Sequence, residues 1–257
     1  MVHHPTRFLN KIVVITGGAK GIGEATARYF SANGSQIAIL DIDENKGKEL
    51  ANELNIKYYF CDVSKENQVK NTFSKVQSDL GNVDILINNA GIQRYSTVTE
   101  TTEEEWDLVM NVNLKSAFLC AKYAIPHMLR KQKGVIINVA SVQSFMSQAR
   151  VAPYTTSKTA LLGLTRSIAV DYAPQVRCVA VCPGTVNTPM LQHDVAQVPN
   201  PEEALQACRD MALSKRIAEP EEIANLIGFL CSPEADFITG HAIRIDGGLG
   251  VMIPSEV

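Results

Sequence analysis

The chain alternates short apolar runs with longer amphipathic stretches from end to end, and this alternation constrains its fold more than any other feature. The runs KIVVITG (11–17), QIAILD (36–41), KYYFCDV (57–63), VDILINN (83–89), GVIINVAS (134–141), RCVAVCPG (177–184) and AIRIDGG (242–248) are rich in β-branched residues. Their apolar character is nearly continuous, which suits strands covered on both faces, as in a parallel sheet between two helical layers. The stretches between them, 22–33, 44–54, 66–80, 103–131, 153–172 and 220–231, carry the spacing of helices. No linker, repeat or low-complexity segment interrupts the pattern. It predicts one domain, residues 1–257: a doubly wound α/β fold with a seven-stranded, mostly parallel sheet and helices on both faces.

In a sheet of this kind ligands bind beyond the carboxyl ends of the strands. The runs end at Gly17, Asp41, Asp62 with Val63, Asn88 to Gly91, Ser141, Pro183 with Gly184, and Asp246 to Gly248. Each is a common turn former, so none alone marks a site. Placed together on one rim they do.

Composition narrows the partners. Formal net charge is −3 and no block of like charge occurs, which argues against nucleic acid. No apolar run approaches the roughly 18 residues of a spanning helix, so no membrane span is expected. The six cysteines include no CxxC pair and the five histidines form no ligand grouping. Reduced cysteines, no catalytic metal and a cytoplasmic location are the expectations.

VVITGGAKGIGEATARYF passes from strand through a glycine turn into a helix. Gly17, Gly21 and Gly23, with Gly18, let backbone approach a pyrophosphate at the positive end of that helix. Lys20 and Ile22 belong to the same turn, and Lys20 is placed to contact phosphate. Asp41 ends the second run, where a carboxylate accepts the adenosine ribose hydroxyls and repels a 2′-phosphate. It serves equally to cap the next helix. With no Lys or Arg at 40, 42 or 43, NAD is favoured over NADP.

The ordered set TGGAKGIG (16–23), CDV (61–63), NNAG (88–91), MNVNL (110–114), Ser141, YTTSK (154–158), PGTVNTP (183–189) and ITGHAIRIDGG (238–248) resembles the classical short-chain dehydrogenase/reductase family, over roughly residues 8 to 250. The resemblance implies a single Rossmann domain, a nicotinamide cofactor and a homotetramer. It places Asp62 and Val63 near adenine and Asn89, Ala90 and Gly91 along the adenosine ribose, although Asn89 is as well suited to bracing strands. It sets Pro183, Gly184, Val186 and Thr188 over the nicotinamide. Asn113 would hold open a water position that links Lys158 to solvent.

The chemistry stands on its own terms. Hydride leaves a secondary alcohol only as its proton is removed, so a base near neutrality is required. A free phenol, with pKa ~10, is too weak an acid to serve. One helical turn separates Tyr154 from Lys158, and an ammonium there, together with the positive nicotinamide ring, would favour the phenolate. Tyr154 is therefore the expected acid/base, Lys158 its tuner and ribose holder, and Ser141 the donor that steadies charge on the substrate oxygen.

Segment 190–219 breaks the α/β alternation and reads as a substrate lid. Gln93, Gln143 and Arg150, with Arg94, Gln148 and His193, are the candidate substrate contacts. An amide-rich pocket suits an aldose or other polyol. SVQSF and AIPHM are similar to the aldohexose dehydrogenase branch of the family, whereas VCPGTVNTP with NPEEA is similar to the hydroxybutyrate branch, where arginines would clamp a carboxylate. Ketoacyl thioester reductases usually take NADP, against Asp41. A nucleotide-sensing regulator on the same fold would commonly lack the tyrosine or lysine, and extended epimerases and dehydratases are longer.

Overall fold

In a computed structural model, residues 7–251 are described. Seven strands, β1 (Ile12–Thr16), β2 (Gln36–Asp41), β3 (Lys57–Phe60), β4 (Ile85–Asn88), β5 (Gly134–Val139), β6 (Val176–Pro183) and β7 (Ala242–Ile245), form one sheet in the order β3-β2-β1-β4-β5-β6-β7. Every neighbouring pair is parallel. Helices α1 (Gly21–Ala32), α2 (Glu44–Leu54), α3 (Glu66–Asp79), α4 (Glu103–Met110), α5 (Ser116–Arg130), α6 (Ala152–Tyr172), α7 (Pro189–Val195), α8 (Pro201–Met211) and α9 (Pro220–Cys231) connect them. The strand order reverses between β1 and β4, which opens the crevice where such sheets bind ligands.

Alternate residues of the continuous apolar runs serve opposite layers. Val13 and Ile15, Ile37 and Ile39, Ile85 and Ile87, and Val179 and Val181 pack with Phe30 of α1 and Ile223 and Ile227 of α9. Ile12 and Val14, Ala38 and Leu40, Leu86, Ile136 and Cys178 pack with Phe73 of α3, Leu119 and Met128 of α5, and Ile168 of α6. Buried Asp84 ties the base of the sheet together. Its carboxylate accepts from the Ile12 amide at 2.9 Å and from Lys131 at 2.6 Å, with Lys11 at 3.2 Å.

Three of the expected strands are shorter than their apolar runs by three residues each. β3 stops at Phe60 because Asp62 turns the chain, its Oδ1 accepting from the Ser64 amide and hydroxyl at 3.0 and 2.6 Å. β4 begins at Ile85, after Asp84 has turned its side chain to Ile12. β7 ends at Ile245, since Gly247 and Gly248 take φ of 60° and 83°. The single helix expected over 103–131 is divided: a π-helical turn, Asn111–Lys115, separates α4 from α5. Such a bulge re-aims one side chain, and here it is that of Asn113.

Candidate active site

The turn from β1 into α1 is built to let backbone approach a ligand. Gly17 has φ +59°, and a Cβ there would lie 2.9 Å from the Ala90 Cα. A Cβ on Gly23 would collide with the Gly17 carbonyl oxygen. Both glycines are therefore required by space, and the N-terminus of α1 with its unpaired amides stands behind them. Gly21 abuts Thr188 at the start of α7 (3.2 Å for a Cβ to the Thr188 Cγ2), so the glycine turn and the 183–189 segment form adjoining walls. Ile22 packs against the core layer of α1 and α9.

Asp41 ends β2 with its carboxylate aimed at this turn. Oδ2 accepts from the Ala19 amide and Oδ1 from the Asp43 amide, both at 2.9 Å. The helix-capping role belongs to Asp43, which accepts from Lys46 N at the start of α2. Lys20 is held in an ion pair by Asp43 at 2.5 Å. The Lys20 pair holds the Asp43 carboxyl below its ordinary value, with the Lys46 amide helping. Lys20 is thus partnered within the chain and does not stand free for a phosphate.

The β4 end shows Asn89 as a brace. Its Nδ2 donates to the carbonyls of Thr16 (3.1 Å) and Gly17 (2.9 Å), and the Thr16 hydroxyl accepts from the Asn89 and Ala90 amides, both at 3.0 Å. Asp62 is half-buried beside Val63, which is in the core. At Gly91 a Cβ would lie 3.3 Å from Lys158 Nζ and 3.5 Å from Asn113 Oδ1, so this glycine leaves the space in which the catalytic candidates meet.

Asn113 brackets the Ile92 peptide, accepting from its amide at 2.8 Å and donating to its carbonyl at 2.9 Å. Its Nδ2 also donates to the Ser157 hydroxyl at 3.1 Å, and that hydroxyl donates to the Tyr154 carbonyl at 2.7 Å. Asn113, Ser157 and Lys158 are buried. Lys158 Nζ donates to the Val139 carbonyl at 2.8 Å and lies 5.7 Å from the centroid of the Tyr154 ring. Ser141 follows β5, where its Oγ accepts from the Gln143 amide at 3.1 Å.

The electrostatics of the protein alone raise the phenol. Loss of water pushes the Tyr154 phenol above its ordinary value; the Ser141 hydroxyl pulls it down and the Asp194 carboxylate adds to the rise. Lys158 Nζ donates to Val139, and burial has pushed its own pKa down to about 8. The protein by itself places the ammonium without making the phenol acidic.

On the substrate side, the sequence candidates divide. Gln143 is half-buried but its Oε1 accepts from the Thr155 hydroxyl at 3.2 Å, and Gln148 is exposed. Gln93 is half-buried, with its carbonyl accepting from Arg94 at 2.9 Å. Arg150, at φ 63°, pairs with Glu100 at 3.4 Å on the surface. His193 is exposed on the outer face of α7, so it is not brought to the site. The segment 190–219, expected as a lid, carries most of α7 and all of α8, and Thr188 caps α7 by accepting from Leu191 N at 3.4 Å. Pro183 ends β6, a Cβ on Gly184 would press on the Asp246 backbone at 2.9 Å, and Val186 is buried and bridged to Ala218.

Four participants were not singled out in the sequence: Thr16, Ser157, Tyr95 and Asp194. Thr16 stands in the TGGAKGIG motif and Ser157 in YTTSK, so motif position could have found them. Tyr95 OH donates to Asp194 Oδ2 at 3.0 Å across nearly a hundred positions, and no local signal announces that pair.

A family model described as enoyl-(acyl carrier protein) reductase, of the short-chain alcohol dehydrogenase type, matches residues 17–250. The chain is 43% identical to an uncharacterized oxidoreductase of Thermotoga maritima, covering 94% of this chain and 98% of that protein. Among solved structures, the aldohexose dehydrogenase of Thermoplasma acidophilum in ligand-free form is similar at a TM-score of 0.92 and 35% identity, with 98% of each chain covered. The L-sorbose reductase of Gluconobacter frateurii, complexed with NADPH and L-sorbose, also gives a TM-score of 0.92, at 28% identity, covering 97% of this chain and 100% of that one.

Proposed function

This chain belongs to the classical short-chain dehydrogenase/reductase family, and on that premise we propose that it is an NAD-dependent oxidoreductase interconverting a secondary alcohol, or a sugar hemiacetal, with its carbonyl. The observation that carries the reading is the meeting of Lys158 and Asn113 beside Gly91, with Lys158 Nζ 5.7 Å from the centroid of the Tyr154 ring. The glycine turn fits a dinucleotide, because Gly17 and Gly23 let β1, the Ala90 segment and the start of α1 pack backbone to backbone, which leaves the N-terminal amides of α1 for a pyrophosphate. When bound, the nicotinamide cofactor supplies the hydride acceptor or donor.

The residues of the chain do the rest. Tyr154 exchanges a proton with the substrate oxygen at its phenol, and Ser141 donates to the same oxygen as charge develops there. Lys158 is held by Val139 within reach of the phenol and the nicotinamide ribose. Asn113 fixes the Ile92 peptide and so keeps open the path that exchanges protons between Lys158 and solvent. Gly17, Gly21, Ile22, Gly23, Asp62, Val63, Asn89, Ala90, Gly91, Pro183, Gly184, Val186 and Thr188 would line the cofactor, with Lys20 at its edge and paired to Asp43.

NAD is the preferred form in this reading. Asp41 is locked in place by two amides, and Lys20, the cation closest in sequence to a 2′-phosphate, is neutralised by Asp43. An aldose or other polyol is the preferred substrate, supported by the half-buried amides of Gln93 and Gln143 and by the similarity to two enzymes named for sugars. Assembly as a homotetramer is supported by an apolar groove on α5 and α6, lined by Phe118, Ile125, Leu129 and Leu164. Among the described residues no helix is long and apolar enough to cross a membrane, and all six cysteines are free thiols, which suits the cytoplasm.

The test is the initial rate of nicotinamide reduction with a panel of aldoses and hydroxy acids, run with NAD and NADP in parallel. Aldose turnover with NAD is expected. Turnover of hydroxy acids alone, or a preference for NADP, would overturn the corresponding half of the reading.

A further inference from the structure

α7 presents two faces. Gln192 and His193 are exposed, whereas Leu191 and Asp194 are half-buried and Val195 is buried, so Asp194 lies on the inward side. Its Oδ2 is fixed at 3.0 Å by the hydroxyl of Tyr95, which stands on the loop between β4 and α4 directly after the NNAG segment. That single bond ties the lid to the rim of the catalytic crevice. Burial, with the Asp194 carboxylate second, pushes the Tyr95 phenol upward, so Tyr95 stays a donor. The same carboxylate adds, after burial, to the rise of the Tyr154 phenol.

Among the described residues no lysine or arginine lies within ion-pair distance of Asp194. The two arginines of this region are directed elsewhere: Arg150 pairs with Glu100, and Arg94 is exposed and donates to the Gln93 carbonyl. A second carboxylate entering here would meet an uncompensated like charge, and a hydroxyl would meet an acceptor with free lone pairs.

We infer that Asp194, held by Tyr95, is a specificity-determining residue of the substrate pocket, which admits neutral hydroxylated or carbonyl substrates and repels carboxylates. The inference rests on Tyr154 being the reacting group, as proposed above. It deepens that reading, because it sets the pocket against hydroxy acids by charge rather than by shape.

The test uses two probes that share a 3-keto group and differ in charge and one methyl group, acetoacetate and methyl acetoacetate, reduced with NADH by the full-length protein and by Asp194→Asn and Asp194→Glu. The wild type is expected to favour the ester in kcat/KM by about tenfold or more. Asp194→Asn is expected to cut that preference at least fivefold by raising the value for the acid, while Asp194→Glu retains it. An unchanged preference in Asp194→Asn, a preference lost only through a poorer ester, or a wild type that prefers the acid overturns the inference. If neither probe is reduced, the catalytic reading fails for this class, and calorimetric affinities of the two probes for the protein–NADH complex give the same ratio. A tighter acid in Asp194→Asn than in the wild type then supports the role of Asp194; no such change, or no binding of either probe, overturns it.

Discussion

Lys158 Nζ lies 2.8 Å from the carbonyl oxygen of Val139, at the end of β5, and points its charge at a ring centroid 5.7 Å away on Tyr154. The bond joins the strand that carries Ser141 to the helix that carries the tyrosine. It also buries an ammonium, and burial pushes Lys158 down to about 8 from its ordinary 10.5.

That shift has a consequence for stability. The folded state resists the charged lysine, so its penalty is fully present below about pH 8 and disappears as pH rises toward the unfolded value of 10.5. Thermal melts of the wild type and Lys158→Met, compared at each pH, should show the wild type gaining on the variant between those limits, by at most about 1.4 kcal/mol per pH unit. The comparison cancels other titrating groups and any fixed loss at Val139. A difference that is flat across this window contradicts the buried ammonium.

The proposed preference for NAD rests on Asp41 and on the Lys20–Asp43 pair. Asp43→Ser keeps a cap on α2 and frees Lys20, so kcat/KM for NADP should rise severalfold with little change for NAD. Asp41→Ala should instead raise KM for NAD by about tenfold, since it removes both the ribose acceptor and the anchor of Ala19 and Asp43. Steady-state rates with each cofactor check both.

Asn113 is expected to matter for turnover more than for binding. Asn113→Ala loses the bracket on Ile92 and the link to Ser157, and kcat should fall roughly 100-fold while NAD affinity, read by fluorescence titration, stays within about threefold. Ser157→Ala should lower kcat by less, because Asn113 keeps both bonds to Ile92.

Asp84 is a separate matter of stability. Its carboxylate is buried and satisfies Ile12 N, Lys11 and Lys131, so Asp84→Ala leaves a buried amide and two cations without their partner. A loss of about 2–4 kcal/mol is expected, checked by urea unfolding. The folded variant should retain ordinary kcat, since Asp84 lies at the opposite end of β4 from Asn88.

The sequence carries the sheet plainly, because strands buried on both faces must be apolar throughout and Ile37 or Leu86 has no other place to go. It carries strand ends less well: the apolar run 57–63 continues past Phe60, and only the bond from Ser64 to Asp62 shows where the strand stops. The interruption at Asn111–Lys115 is invisible to helical spacing, since a π-turn inserts a residue without changing composition. Tyr154, Ser141 and the glycine turn are legible because they sit at fixed places on one rim. The electrostatics are not. How far burial opposes Lys158 at Tyr154 depends on what the fold packs around both, and whether Asn89 braces strands depends on where Thr16 and Gly17 place their carbonyls.

The central claim is that Tyr154 exchanges the proton while other parts of the chain hold the cofactor. The most direct measurement is Tyr154→Phe, comparing NAD affinity with kcat on whichever aldose the wild type oxidises. The account predicts affinity within about threefold of the wild type and kcat lower by roughly 100-fold or more. Turnover near the wild-type rate would contradict it.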